Sequence, residues 1–212
     1  MTQPSTPYPA WAFSREDESD DRRFYTEPRL VVHVDEHAVR AITAYYARVL
    51  PQGGALLDLM SSWRSHLPDS FPKKRLLGLG MNADEMAENP LLDEFVVQDL
   101  NRQPALPFPD ASFEAAIVTV SVQYLTQPLD VFREVNRVLV PGGTFHVVFS
   151  NRCFPTKAVA LWHALDDAGH AQLVASYFQR SGGWEPAAFE DLSPRIEPYS
   201  DPVYVVRAAN LS

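Results

Sequence analysis

The chain has 212 residues, 46% of them hydrophobic and 21% charged, with a formal net charge of −9. That length and composition suit one globular domain that buries its own core. The acidic balance argues against nucleic acid or an anionic membrane as a partner, and the single cysteine, Cys153, excludes an intrachain disulfide.

Residues 1–22 are polar, proline-containing and acidic (Arg15-Glu-Asp-Glu-Ser-Asp-Asp21), which predicts a flexible N-terminal tail ahead of a single domain over 23–212. The first residues lack a basic, apolar leader and no apolar run approaches the ~20 residues of a membrane span. A cytoplasmic protein is therefore the expectation. Residues 24–34 form an apolar-aromatic segment that must pack on something. Asp35 then caps a helix to about Leu50, with Val39, Ile42, Tyr46 and Val49 at helical spacing.

From Ala55 strands and helices alternate. Ala55–Met60 reads as a strand buried on both faces, and Arg75–Gly80, Phe95–Gln98, Ala115–Val120 and Thr144–Phe149 read as further strands. Asn82 with Glu85 three residues later starts a short helix that ends at Pro90. Pro128–Leu139 reads as a helix with Leu129, Phe132, Val135 and Leu139 on one face, stopped by Pro141-Gly-Gly143. A helical insert over about 156–181 follows, read as Thr156–Asp166 and Gly169–Arg180, then strands near Ala188–Leu192 and Val203–Ala208. This alternation predicts a three-layer, doubly wound, mostly parallel α/β sheet of about seven strands.

In such a sheet ligands bind beyond the carboxyl ends of the strands. Functional residues are thus expected in Asp58–Arg64, Gly80–Asn82, Gln98–Asn101, Thr119–Tyr124 and Ser150–Phe154. No Cys/His cluster has zinc spacing, and no metal is expected. No Gly-x-Ser-x-Gly elbow, Walker loop or Gly-x-Gly-x-x-Gly opening appears, which disfavours a hydrolase, a nucleotide hydrolase and a dinucleotide oxidoreductase.

Several blocks together carry a resemblance. They are Leu57-Asp-Leu59, Asp99-Leu100, Leu106-Pro-Phe-Pro-Asp-Ala-Ser-Phe-Glu114, Gln123-Tyr-Leu125 and Glu134-Val-Asn-Arg-Val-Leu-Val-Pro-Gly-Gly143. In these the chain resembles the class I, type 11-like S-adenosylmethionine-dependent methyltransferases, over about Leu30 to Leu211. The resemblance implies S-adenosylmethionine as cofactor, S-adenosylhomocysteine as product, and a Rossmann-like fold. It places Asp99 and Leu100 at the adenine, and Thr119 and Ser121 beside the methionyl portion. The chain departs from the family at two points. The loop after the first strand is Asp58-Leu-Met60-Ser61-Ser62-Trp63-Arg64 instead of a glycine-rich one, and the acid that ends the second strand is replaced by Gly80-Met81-Asn82.

Asp58, Met60, Ser61, Ser62, Arg64, Gly80, Met81 and Asn82 complete the expected cofactor set, with Arg64 a charge-assisted partner for the cofactor carboxylate. Tyr25 is expected as a lid residue. Tyr124, Asn151 and Arg152 join it as candidates at the acceptor, and His66 reads as a loop histidine before a general base. The implied reaction is methyl transfer to a small-molecule acceptor. The rival is a non-catalytic binding or scaffolding module in which Trp63 fills the pocket.

Overall fold

The computed structural model describes residues 8–196 and 199–211. Its centre is one seven-stranded sheet of order β3-β2-β1-β4-β5-β7-β6. The strands are β1 (Ala55–Leu59), β2 (Arg75–Gly80), β3 (Glu94–Val97), β4 (Phe113–Thr119), β5 (Leu139–Phe149), β6 (Ala188–Asp191) and β7 (Tyr204–Ala209). β1 to β5 run parallel, while β7 pairs antiparallel with both β5 and β6. The helices are α1 (Asp21–Phe24), α2 (Glu36–Val49), α3 (Ala83–Ala87), α4 (Pro128–Val138), α5 (Ala160–His163) and α6 (Asp167–Ser181). No helix among the described residues is long and apolar enough to cross a membrane.

Strand alternation sorts the core into two layers. Leu57, Leu59, Ala116, Val118, Phe145 and Val147 face α4 and α6, where Phe132, Val135, Val174 and Phe178 meet them. Leu56, Ile117 and Val148 face Ala38, Ile42, Tyr45 and Tyr46 of α2. Asp35 caps α2 by accepting from the His37 and Ala38 amides, both at 2.9 Å. Arg137 explains why its motif travels with Leu106–Phe113. From α4 it donates to the carbonyls of Leu106 and Phe108 at 3.0 and 2.9 Å and pairs with Glu134 and Asp110, stapling that segment under β4.

Four expectations need correction. Residues 8–22 are not a free tail. Ala12 is fully buried, Ala160 and Leu161 donate to the Ser14 and Ala12 carbonyls at 2.8 and 2.9 Å, and Lys157 reaches Asp17 and Asp21, each at 2.9 Å. The acidic run is partnered because a buried lysine lies beneath it; residues 1–7 lie outside the described ones. β5 begins at Leu139, so Pro141-Gly-Gly143 lies inside the strand. Gly142, at φ +76°, and a register shift opposite Phe113–Ala115 let the chain turn there without leaving the sheet. The first insert helix is only the four residues of α5. The 24–34 segment packs through Phe24 and Tyr25, yet leaves Leu30 and Val31 about half exposed, at 49% and 54%.

Two glycines of β2 set the height of the neighbouring loop. A Cβ on Gly80 would lie 2.2 Å from the Ser61 carbonyl oxygen, and one on Gly78 would lie 2.7 Å from a Leu92 methyl. The first contact is with backbone and the second with the far end of a side chain. Gly80→Ala is therefore expected to destabilise by ~1–3 kcal/mol and Gly78→Ala by less, measured by urea unfolding. The reverse order would show that the loop is free to move.

His146 supplies a pH-dependent term. It is buried in β5, its ring nitrogens bonded to the Tyr45 and Thr144 hydroxyls at 2.8 and 2.9 Å. Burial, with Arg207 nearby, lowers its pKa from 6.5 to about 3. The unfolded chain thus takes up a proton below about 6.5 that the folded chain refuses, so this contribution is intact above that pH and is lost as pH falls towards 3. Between about pH 7 and about pH 5, His146→Gln should lose ~2 kcal/mol less stability than the parent. Parallel pH curves for the two proteins would remove His146 from this role.

Candidate functional site

A cleft of about 140 Å³ opens at the carboxyl ends of β1 to β4. Its floor is the loop after β1. Met60 stands at φ +54°, the left-handed conformation that glycine adopts freely and other residues rarely do. The Ser61 amide then donates to the Leu79 carbonyl at 2.9 Å, drawing the loop down over β2. Asp58 holds it from below, its Oδ2 accepting from the Ser61 and Ser65 hydroxyls at 2.8 and 2.6 Å. Burial raises the Asp58 pKa to about 6 against the pull of those two hydroxyls.

The wall beyond β2 carries a carboxylate that the sequence reading passed over. Asn82 caps α3 by accepting from the Glu85 amide at 3.0 Å, as its spacing predicts. The Glu85 side chain does not close the capping box. It turns into the cleft, where Oε1 accepts from the Arg29 amide at 2.7 Å and Oε2 from the Ser62 hydroxyl at 2.6 Å. The only signal in the sequence was the Asn82–Glu85 spacing, which reads as a cap.

The β3 and β4 side is polar and tightly tied. Asp99 accepts from the Asn101 amide at 2.9 Å, and burial raises its pKa, with Asp21 adding to the effect. Asn101 bridges the Asp21 carboxylate and the Tyr124 carbonyl at 3.1 and 2.9 Å. Thr119 bonds the Tyr46 hydroxyl at 2.7 Å, and Ser121 donates to the Thr119 carbonyl at 3.2 Å. The Tyr124 hydroxyl accepts from the Phe154 amide at 2.8 Å, and burial pushes its pKa up to about 12, so it remains a neutral phenol.

A strap from Tyr25 to Val34 lies across the opening. Asn82 donates to the Tyr25 carbonyl at 2.8 Å and the Trp63 indole to the Val31 carbonyl at 3.0 Å. Trp63 thus anchors the strap at the rim and leaves the cavity open. Arg64 stacks on it at 4.4 Å. His66 also lines the cleft, with a buried and unpartnered Nδ1; burial, Arg64 and His33 lower its pKa to about 4, so the ring is neutral at pH 7.

The cleft therefore brings together Asp58, Met60, Ser61, Ser62, Arg64, Met81, Asn82, Asp99, Leu100, Thr119, Ser121, Tyr25 and Tyr124. It does not include Gly80, whose role is the close passage of Ser61. Asn151 and Arg152 are exposed and outside it; Arg152 lies 3.9 Å from Asp201 across the surface. The chain turns after β5 so that Phe154, two residues later, faces the cleft instead. Among the described residues no group of three or more His, Cys, Asp or Glu side chains could hold a metal ion.

Comparison with known proteins agrees with this architecture. A family model described as a methyltransferase domain matches residues 78–147. The malonyl-[acyl-carrier protein] O-methyltransferase of Marinomonas sp. is 36% identical over 86 residues, 39% of this chain and 30% of that protein. The chain spans less than a third of the length of the curated relatives it matches. Among solved structures, the [4+2]-cyclase SpnF is similar with a TM-score of 0.61 at 17% identity, covering 89% of this chain and 90% of that one. The Haemonchus contortus phosphoethanolamine N-methyltransferase 2 in complex with S-adenosyl-L-methionine is similar with a TM-score of 0.58 at 11% identity, covering 82% of this chain and 53% of that one. Over residues 78–147, from the middle of β2 almost to the end of β5, this chain is similar to the methyltransferase-domain family, and the sheet that surrounds this segment has the Rossmann-like fold of those methyltransferase structures.

Proposed function

We propose that the protein binds S-adenosylmethionine in this cleft and transfers its methyl group to a small-molecule acceptor. The observation that carries the reading is the cleft itself. It lies at the carboxyl ends of β1 to β4, and among its lining carboxylates Asp58 comes from the end of β1, Glu85 from α3 just beyond β2 and Asp99 from the turn after β3. The donor set fits the cofactor. Asp99 and the Leu100 backbone suit the adenine edge. Asn82 and Glu85 suit a pair of ribose hydroxyls, so Glu85, reaching in from α3, replaces the acid missing from the end of β2. Ser61 and Arg64 suit the methionyl carboxylate, and Thr119 and Ser121 flank the same end.

The cofactor supplies an already activated methyl group, so the protein's contribution is alignment and exclusion of water. Met60, Met81 and Leu79 give the cleft its apolar lining, and the strap with Tyr25 covers it. Tyr124, held neutral, offers a hydroxyl to an acceptor without competing as a nucleophile. No dedicated base is needed where the acceptor atom is already deprotonated at working pH.

Titration calorimetry with S-adenosylhomocysteine tests the reading. The protein should bind it, Asp99→Ala should weaken binding by ~1–3 kcal/mol, and Asn151→Ala, outside the cleft, should not change it. Absence of heat with the parent protein would favour the non-catalytic module. Unchanged affinity in Asp99→Ala would remove the adenine assignment.

A further inference from the structure

Arg29 is a guanidinium without an anion. No carboxylate among the described residues lies within 4.0 Å of it, and its Nη1 is buried in the cleft wall with no hydrogen-bond partner. This is unusual in a chain of net charge −9, where Asp21 and Glu85 line the same cleft. Both of those acids are occupied elsewhere. Asp21 is taken by Arg15 and Lys157 at 2.7 and 2.9 Å, and Glu85 accepts only the backbone amide of Arg29, not its side chain. Leaving a buried N–H of a charged group unpaired is costly, so the position makes sense where an incoming acceptor atom completes it.

The guanidinium is also held in place. It lies over Phe24 at 4.4 Å, Phe154 at 5.5 Å and Tyr25 at 6.0 Å. Stacking on ring faces fixes the plane of the group and leaves its N–H edges open, the arrangement that receives a planar, two-oxygen anion. Phe154 stacks in turn on Tyr124 at 5.9 Å, and Tyr124 ends the short turn Val122–Tyr124 that follows Ser121, just beyond β4. The backbone of Arg29 thus faces Glu85 while its side chain faces the Phe154–Tyr124 side. Arg64, the other cleft arginine, is exposed and stacks on Trp63.

We infer that Arg29 anchors the acceptor, and that the acceptor is a small molecule carrying a carboxylate on an apolar or aromatic body that lies against Phe154 and Tyr124. The inference deepens the methyl-transfer reading and rests on it for the word acceptor; the anion site itself does not. A carboxylate here forms a charge-assisted pair with the Arg29 fork and gives Nη1 its missing partner.

Benzoate and its neutral isostere benzamide serve as probes, titrated into the protein with and without saturating S-adenosylhomocysteine. Benzoate should bind at least tenfold more tightly than benzamide. Arg29→Gln should lose at least tenfold in benzoate affinity while S-adenosylhomocysteine affinity stays within twofold, and Arg29→Lys should fall between the two. Equal binding of benzoate and benzamide, no binding of either, or full benzoate affinity in Arg29→Gln would overturn the inference. The parent-protein comparison stands even if the variants fold poorly. A protein that binds benzoate through Arg29 but never S-adenosylhomocysteine would keep the anion site and refute the cofactor reading, so the two failures are separable.

Discussion

The passage of the β1 loop across β2 is the constraint on which the cleft depends. Ser61 donates to Leu79 and its carbonyl occupies the space where Gly80 would carry a Cβ. A loop of Met, Ser, Ser and Trp passes close over β2 because the side chain that would block it is absent at Gly80. Asp58 makes this stable from beneath, spending its carboxylate on the Ser61 and Ser65 hydroxyls. The close passage of backbone is a property of the pair of segments, and this chain divides it between them.

The second layer of the site is borrowed. Asn82, Glu85 and Trp63 sit on the sheet side, yet each bonds to the strap between Tyr25 and Val31. These bonds use backbone groups of the strap, so its side chains remain available to the cleft. That explains how Arg29 stands with its amide satisfied and its guanidinium unpaired. The same carboxylate, Glu85, thereby ties the cover to the wall of the cleft.

What was legible in the sequence was local. Apolar runs gave the strands, Asp35 and Asn82 gave two helix starts, and the strand-end rule gave most of the cleft lining, because each depends on neighbours in the chain. Pro141-Gly-Gly143 misled because its local meaning is a stop, whereas β4 and Asn210 on either side keep it within the sheet. Glu85 and Arg29 were invisible as site residues because 56 positions separate them and only the strap brings them together. Asn151 and Arg152 had suitable chemistry, but the turn after β5 sends them outward and brings Phe154 in.

Lys157 has an implication for how the chain assembles. Its ammonium is fully enclosed and finds its charge partners in Asp17 and Asp21, some 140 residues earlier in the sequence. A buried cation cannot be left bare, so the region around Lys157 cannot reach its final state until the Asp17–Asp21 segment has docked against it. Pairing across so long a separation raises the contact order of the fold and slows its folding. It also ties the Phe154 end of the cleft to a segment far away in sequence, through a side chain that never meets solvent.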